Sequence, residues 1–385
     1  MTPLSGLKAL GEKGAAKMPT RFPRRPRTVV FASLAMAAAV AATMTACSSG
    51  GAGSTAGPND EVGVSLIVKT TSNPYFVAME TAAKADAKKN NVKLTLAAGK
   101  KDGDTDTQIQ AIENAISRGD KGILITPAGP AVNNEIAKAR HAGLYVIALD
   151  TVPTPPDTVD ITYATDNYAA GQSIGKWMAG TLDGKKAVIA MIDLFSDQVV
   201  SVDVDRDHGF LNGMGIDVGD KKKNGGEKSS GKYTGGTGGE YEIVGHQPSQ
   251  GAEDGGRTAM ETLLSKNPDI NVVYTINEPA AYGAYQALKA AGKQDSVTIV
   301  SIDGGCTGVG YVKDGILGAT AQQYPSKMAS LGMEAIAKIA RGGEKPKTSD
   351  GLDFFNTGST LITNKPVDGL DSVDATKGAT TCWAN

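Results

Sequence analysis

Histidine and cysteine are scarce, with three of each in 385 residues. His141, His208 and His246 lie far apart, on what read as separate elements, and show no ligand spacing. Neither a metal site nor a histidine-based triad is therefore expected. Aromatic residues make up only 5%, and no apolar run reaches the ~20 residues of a membrane-spanning helix. Basic clusters are missing beyond Lys221 to Lys223, and the formal charge of −2 hides a more acidic body. Met1 to Cys47 holds seven Lys and Arg (Lys8, Lys13, Lys17, Arg21, Arg24, Arg25, Arg27) against the single Glu12, so the remainder has 32 basic and 40 acidic residues, a formal −8. That balance argues against nucleic acid as a partner.

What is present begins with an address. Arg24, Arg25 and Arg27 precede the Ala-rich apolar run Val29 to Ala42, the pattern of a signal peptide. It closes on Met44-Thr45-Ala46-Cys47, which resembles a bacterial lipobox, so residues 1–47 are expected to be removed up to a lipidated Cys47. The alternative is ordinary cleavage near Ala46. The stretch before Arg21 is long for such a signal, and Met18 is a second candidate start. Residues 48–60, SSGGAGSTAGPND, read as a flexible polar tether. With Cys47 lipidated, Cys306 and Cys382 are left as an even pair in an oxidising compartment, where a disulfide is expected over two free thiols.

From Val62 onward, strand-like and helix-like segments alternate. VGVSLIVKT, VKLTLAAG, KGILITPAG and LYVIALD read as buried strands, interleaved with amphipathic helices such as Tyr75 to Asn90. A second set includes AVIAMID, EIVGHQ, NVVYTI and VTIVSID. Such alternation implies parallel sheets with helices on both faces, in two similar α/β halves. Asn277-Glu278-Pro279, between a strand and a helix, is a candidate helix cap and ligand contact at the carboxyl edge of the sheet. Residues 219–240 lack apolar periodicity and are dense in Gly, Lys and Ser. They read as an exposed, mobile insertion.

Two enzyme-like or metal-like patterns lose on context. Gly171-Gln172-Ser173-Ile174-Gly175 fits G-x-S-x-G but falls inside a helical pattern, without the strand that a nucleophile elbow needs. Asp102, Asp104, Asp106 and Glu113 match positions of a calcium loop, but Thr107 stands where its turn requires Gly. Asp104 or Asp106 is better read as a helix cap.

Ser72-Asn73-Pro74-Tyr75-Phe76, Leu149-Asp150, Ala164-Thr165-Asp166-Asn167, Arg206-Asp207-His208-Gly209-Phe210, Asn277-Glu278, Ile302-Asp303-Gly304 and Gln322-Gln323-Tyr324-Pro325 occur in this order. Together they resemble the periplasmic sugar-binding proteins of the ribose-binding type. INEPAAYGAYQALKAAG, VSIDGGCTGV, GATAQQYP and the closing Cys-Trp are most similar to the fructose-binding components of bacterial ABC importers. The resemblance implies two Rossmann-like lobes, each a parallel sheet flanked by helices, joined by a multi-crossover hinge (periplasmic binding protein type I). The first lobe would be 61–165 plus about 324–350, and the second 166–323 plus about 351–385.

The same resemblance implies a substrate-binding set of Asn73, Tyr75, Phe76, Asp150, Thr165, Arg206, Asn277, Asp303 and Gln323. Carboxylates, amides and a guanidinium satisfy sugar hydroxyls, and aromatic faces cover the C–H side of the ring. Asp150-Thr151 replaces the Asp-Arg common in ribose binders, Lys69 stands where a small polar residue is common, and Thr126 where Asn is common. A ketohexose fits these departures better than ribose, with ribose, xylose and inositol as alternatives. The implied protein is a lipid-anchored, extracytoplasmic monomer that captures a monosaccharide by hinge closure and delivers it to an ABC permease. It needs no cofactor and is not an enzyme. A sugar-sensing receptor or a transcription regulator of the same fold, and a secreted hydrolase built on Ser173, are the rivals. The regulator would need a DNA-binding helix pair where this chain has its signal sequence.

Overall fold

The computed structural model describes residues 56–57 and 60–383. The signal peptide, Cys47 and most of the tether lie outside the described residues. Ala56, at the end of the expected tether, donates its N–H to the Ala340 carbonyl at 2.8 Å, so this part of it is docked.

The first half runs β1 (Val62–Val68), α1 (Pro74–Lys89), β2 (Val92–Ala98), α2 (Thr105–Arg118), β3 (Gly122–Ile125), α3 (Asn133–His141), β4 (Tyr145–Leu149) and β5 (Ile161–Ala164). Local chemistry marks the helix starts. Asn73 caps α1 by accepting from the Tyr75 N–H at 2.9 Å, with Pro74 in the first turn where its missing N–H costs nothing. Asp104 caps α2 by accepting from the Thr107 N–H, so the calcium-loop pattern is a helix start. Strands β1, β3 and β4 are rich in Val, Ile and Leu and almost wholly buried, because helices cover both faces of the sheet, while the edge strand β2 is only partly covered.

The second half runs α4 (Asn167–Leu182), β6 (Ala187–Asp193), α5 (Ser201–Met214), β7 (Ser230–Tyr233), β8 (Gly239–Pro248), α6 (Glu253–Lys266), β9 (Val272–Thr275), α7 (Glu278–Ala290), β10 (Thr298–Asp303), α8 (Cys306–Lys313) and β11 (Ala319–Gln322). Then come α9 (Pro325–Ala340), β12 (Phe355–Asn356), β13 (Thr360–Ile362) and α10 (Ala375–Gly378). Strands β12-β5-β4-β3-β1-β2 form one sheet and β13-β11-β10-β9-β6-β8-β7 the other. Each has apolar layers on both sides, which gives two lobes.

The chain crosses between lobes three times, after β5, after β11 and after β12. Helix α9 belongs to the first lobe, where Met328, Met333 and Ile336 join its core. The return to the first lobe extends to Asn356, six residues past the expected boundary, because β12 pairs with β5. The crossings are tied together. Thr165 Oγ1 donates to the Gly358 carbonyl at 3.4 Å, the Asp166 N–H to Asn356 Oδ1 at 3.2 Å, and Tyr324 and Thr360 share a hydroxyl hydrogen bond of 2.7 Å.

One expectation is corrected here, and the helical reading of G-x-S-x-G is borne out. The insertion at 219–240 is not loose: β7 pairs antiparallel with β8, Tyr233 is buried, and its hydroxyl donates to the Lys185 carbonyl at 2.8 Å. Its Gly and Lys composition hid a strand whose partner follows only a few residues later. The G-x-S-x-G pattern is a helix contact. A Cβ on Gly171 would lie 2.2 Å from the Arg206 carbonyl oxygen, so glycine there lets α4 and α5 touch backbone to backbone. Ser173 Oγ merely donates to the Ala170 carbonyl.

Candidate functional site

Strand carboxyl ends from both lobes face one another across a narrow cavity of about 20 Å³, close to the room one water needs, so the lobes stand close together around it. Lys69 follows β1, Asp150 follows β4 and Asp303 ends β10. Asn73 and Asn277 sit at the starts of α1 and α7, and Arg206 lies on α5. Asp150 (φ 67°) and Asp303 (φ 147°) both adopt positive φ. Non-glycine residues held there commonly mark ligand clamps. The turn after Asp303 is glycine for a steric reason, since a Cβ on Gly304 would come within 2.3 Å of Gln322 Cα.

Arg206 is the centre of the charge pattern. Its Nε donates to Asn167 Oδ1 at 2.7 Å and one terminal nitrogen to the Ile276 carbonyl at 2.9 Å, which fixes the guanidinium within the second lobe. From there it reaches Asp303 at 4.0 Å and, across the cleft, Asp150 at 3.7 Å. Lys69 lies 3.8 Å from Asp150 and 4.0 Å from Asp102. These charges are buried yet stand beyond hydrogen-bond range of one another, and Asp150 Oδ1 accepts no hydrogen bond. Burial pushes the Asp303 carboxyl up to about 7 against the pull of Arg206, and it raises Asp102 against the pull of Lys69. Glu278, raised to about 8 by burial and by Asp303, spends its oxygens on the amides of Gly304 and Gly305 and on Thr320.

The expected residues divide into three groups. Asn73, Tyr75, Phe76, Asp150, Arg206, Asn277 and Asp303 line the cavity. Asn277 also caps α7 through the Ala280 N–H at 3.1 Å and donates to the Gly251 carbonyl at 3.0 Å, so much of its amide is committed to structure. Gln323 stands behind the wall: its Nε2 donates to Asp303 Oδ1 at 3.2 Å, and Tyr75 points its hydroxyl at Oε1 from 3.5 Å. Thr165 does not line the cavity, because its crossover carries it into the hinge bond with Gly358. Sequence reasoning missed Asp102, Leu194, Val202 and Ile276 as lining residues, and it noted Lys69 only as a departure.

Outside the cavity, sharing Asn73, Asp102 and Asp303 with it, a wider interlobe space of about 550 Å³ is lined by Tyr282, Tyr311 and Trp383. Cys306 and Cys382 form a disulfide that holds the tail there. Trp383 packs edge-on against Tyr75, with ring centres 5.6 Å apart, and its indole N–H donates to the Gln323 carbonyl at 3.2 Å.

Two lobes with parallel sheets, three crossings and a polar cavity between strand ends are the architecture of a two-lobed binding protein for a small ligand. A family model described as a periplasmic binding protein domain matches residues 64–345. The chain belongs to that family, in its type I form; it is a binding protein and not an enzyme. It is 28% identical over 281 residues to the ribose import binding protein of Salmonella typhimurium, covering 72% of this chain and 85% of that one. It is 24% identical over 306 residues to the D-allose-binding periplasmic protein of Escherichia coli, covering 77% and 91%. Among solved structures, an ABC transporter solute binding protein from Burkholderia multivorans superposes with a TM-score of 0.66 at 25% identity, covering 79% of this chain and all of that one.

Proposed function

We propose that the chain is the substrate-binding lipoprotein of a sugar ABC importer, with a monosaccharide held between Asp150 and Lys69 of the first lobe and Arg206 and Asp303 of the second. The supporting observation is the placement of Arg206, fixed in one lobe and facing a buried, unpartnered carboxylate oxygen of the other across the interlobe cavity. Hydroxyls, which donate and accept at once, suit a ring of charges too far apart to satisfy each other. Contacts from both lobes exist together only in the closed form, so the sugar shifts the population toward closure. The bodies that close are 61–165 with 324–356, and 166–323 with the remaining tail.

D-Fructose is the first candidate. Lys69 and Arg206 supply the donors, and Thr151, in place of a second arginine, donates to Asp150 Oδ2 at 2.9 Å. Residues 1–47 direct export, Cys47 carries the lipid, and the monomer delivers its sugar to the permease. Melting curves with D-fructose, D-ribose, D-xylose, D-allose and myo-inositol, followed by calorimetry, test the reading. One of them is expected to raise the melting temperature and bind at one per chain. No response to any sugar overturns it. A globomycin-sensitive, membrane-associated product is expected on fractionation, and a freely secreted one refutes the anchor.

A further inference from the structure

The three histidines were expected to stand apart, yet the fold gathers two of them with a group of acids at the end of β6. Asp193 ends β6, Asp207 lies on α5, His246 on β8, and Glu227 in the segment leading to β7. His246 Nδ1 is 2.7 Å from Asp193 Oδ2 and 3.6 Å from Asp207 Oδ2, while its Nε2 is 2.8 Å from Glu227 Oε1. His208 Nε2 lies 4.0 Å from Asp207 Oδ1 and is shared with the Lys223 carbonyl at 3.2 Å. Asp203 belongs to the turn instead, accepting from the Leu194 and Phe195 amides.

What separates this group from an ordinary buried ion pair is Asp207. It is 0% exposed, and neither of its carboxylate oxygens accepts a hydrogen bond; Asp193 Oδ1 is also unpartnered. Leaving buried carboxylate oxygens without donors is costly, and one imidazole cannot serve all of them. Ligand atoms of Asp193, Asp207 and His246 lie within 4.8 Å of one another, the spacing of groups that can share one ion. The group borders a cavity of about 340 Å³, also lined by Lys223 and Asn224, which gives an entry path and room for a water ligand.

We propose that Asp193, Asp207 and His246 bind a zinc-class divalent ion in the second lobe, with Glu227 as the positioning residue. Imidazole with carboxylates suits zinc better than calcium or magnesium, which take oxygen ligands. Binding displaces the proton from His246 Nδ1 to solvent, and Nε2–H stays donated to Glu227, which fixes the tautomer that presents Nδ1 to the metal. The two carboxylates, the imidazole and one water complete a four-coordinate site. Its ligands come from β6, α5 and β8, and Glu227 adds the insertion, so the ion clamps the insertion onto the lobe beside Leu194 and Val202 of the sugar cavity.

The test uses the untagged chain with Cys47→Ser, freed of metal by a chelator and dialysis. Zinc, calcium and magnesium chlorides are titrated at pH 7 by calorimetry, with bound metal counted by elemental mass spectrometry. One zinc per chain is expected, with calcium and magnesium at least ~100-fold weaker. Asp207→Asn, nearly isosteric, and His246→Gln should each abolish stoichiometric zinc, and Glu227→Gln should weaken it ~10–100-fold. Circular dichroism checks that each variant is folded. If His246→Gln does not fold, Asp207→Asn and Glu227→Gln carry the decision. No zinc on the parent chain, a preference for calcium, or unchanged zinc affinity in the folded variants overturns the site.

Discussion

Asp150→Asn separates a binding role from a structural one. Asp150 is buried, its Oδ1 is unpartnered, and its nearest cations, Arg206 and Lys69, stand at 3.7 and 3.8 Å. A buried hydrogen bond to a charged group is worth ~1.5–3 kcal/mol, and a tenfold change in Kd is about 1.4 kcal/mol. Losing one sugar hydroxyl contact should therefore weaken binding about 10- to 150-fold. Stability should barely move. At about pH 8, where Asp303 has lost the proton it holds up to about 7, the cavity holds three carboxylates (Asp102, Asp150, Asp303) and two cations (Lys69, Arg206), so the substitution leaves two of each sign. Each lost attraction is ~4 kcal/mol gross at an effective dielectric of about 20. It is offset by relieved repulsion from Asp102 and Asp303 and by a smaller desolvation cost. Asn also tolerates the φ of 67° at this position. The net should fall within ~1 kcal/mol, or ~2–4 °C in Tm. Calorimetry and melting curves on the same sample read both quantities. Intact sugar affinity with a melting temperature lowered by about 10 °C or more would make Asp150 a structural ion-pair residue and refute the assignment.

Asp303 and Glu278 titrate near 7 and 8 in the folded chain, both pushed up by burial. Each therefore holds a proton in the folded state that the unfolded chain releases near pH 4, and this contribution is lost as pH rises through 7 to 8. The sugar-free melting temperature should fall between about pH 5 and pH 8, and a rise across that window contradicts the raised values. Tyr233→Ala should destabilise by ~3–5 kcal/mol in a denaturant titration, because it empties a core position; an unchanged midpoint would return the insertion to a loose loop. The Cys306–Cys382 bond spans 76 residues and should contribute ~4 kcal/mol in the chain-entropy model. Intact mass after alkylation without reductant should show no modified thiol in the mature chain, and two alkylated cysteines would remove the bond.

Much of the fold was legible because its signals are local. Period-2 and period-3.6 patterns, Asp104 and Asn277 as caps, and Pro279 as a helix starter act within a few residues, so alternating β and α could be read before any contact was known. The cavity residues were legible for a related reason. In an open α/β sheet the carboxyl ends of the strands form the ligand edge, which singled out Asn277 from position, while Asp150 and Asp303 were reached through the family resemblance. Thr165 shows where that logic stops. It follows a strand end too, but its chain crosses to the other lobe there, and its hydroxyl is taken by the Gly358 carbonyl nearly two hundred residues later.

The acid–histidine group escaped notice through the same limit at longer range. Metal ligands are recognised in sequence when two of them share a turn of helix or a tight loop, and here each sits on a different element. Asp193 and His246 become neighbours only because β6 pairs with β8 in parallel, with Met191 opposite His246 and a register shift between Ile189 and Ala190. The shift falls at Gly245 (φ 148°), an isolated strand glycine that marks a bulge without saying which side chains it brings together. Asp207, next to the cavity's own Arg206, joins them because α5 packs over that pair of strands, so adjacent residues of one helix contribute to two separate sites. A substitution at Asp207 that disturbs the helix would therefore reach the sugar cavity through Arg206. Asp207→Asn nearly preserves shape while exchanging one carboxylate oxygen for an amide NH₂, which lets loss of metal be read apart from loss of sugar.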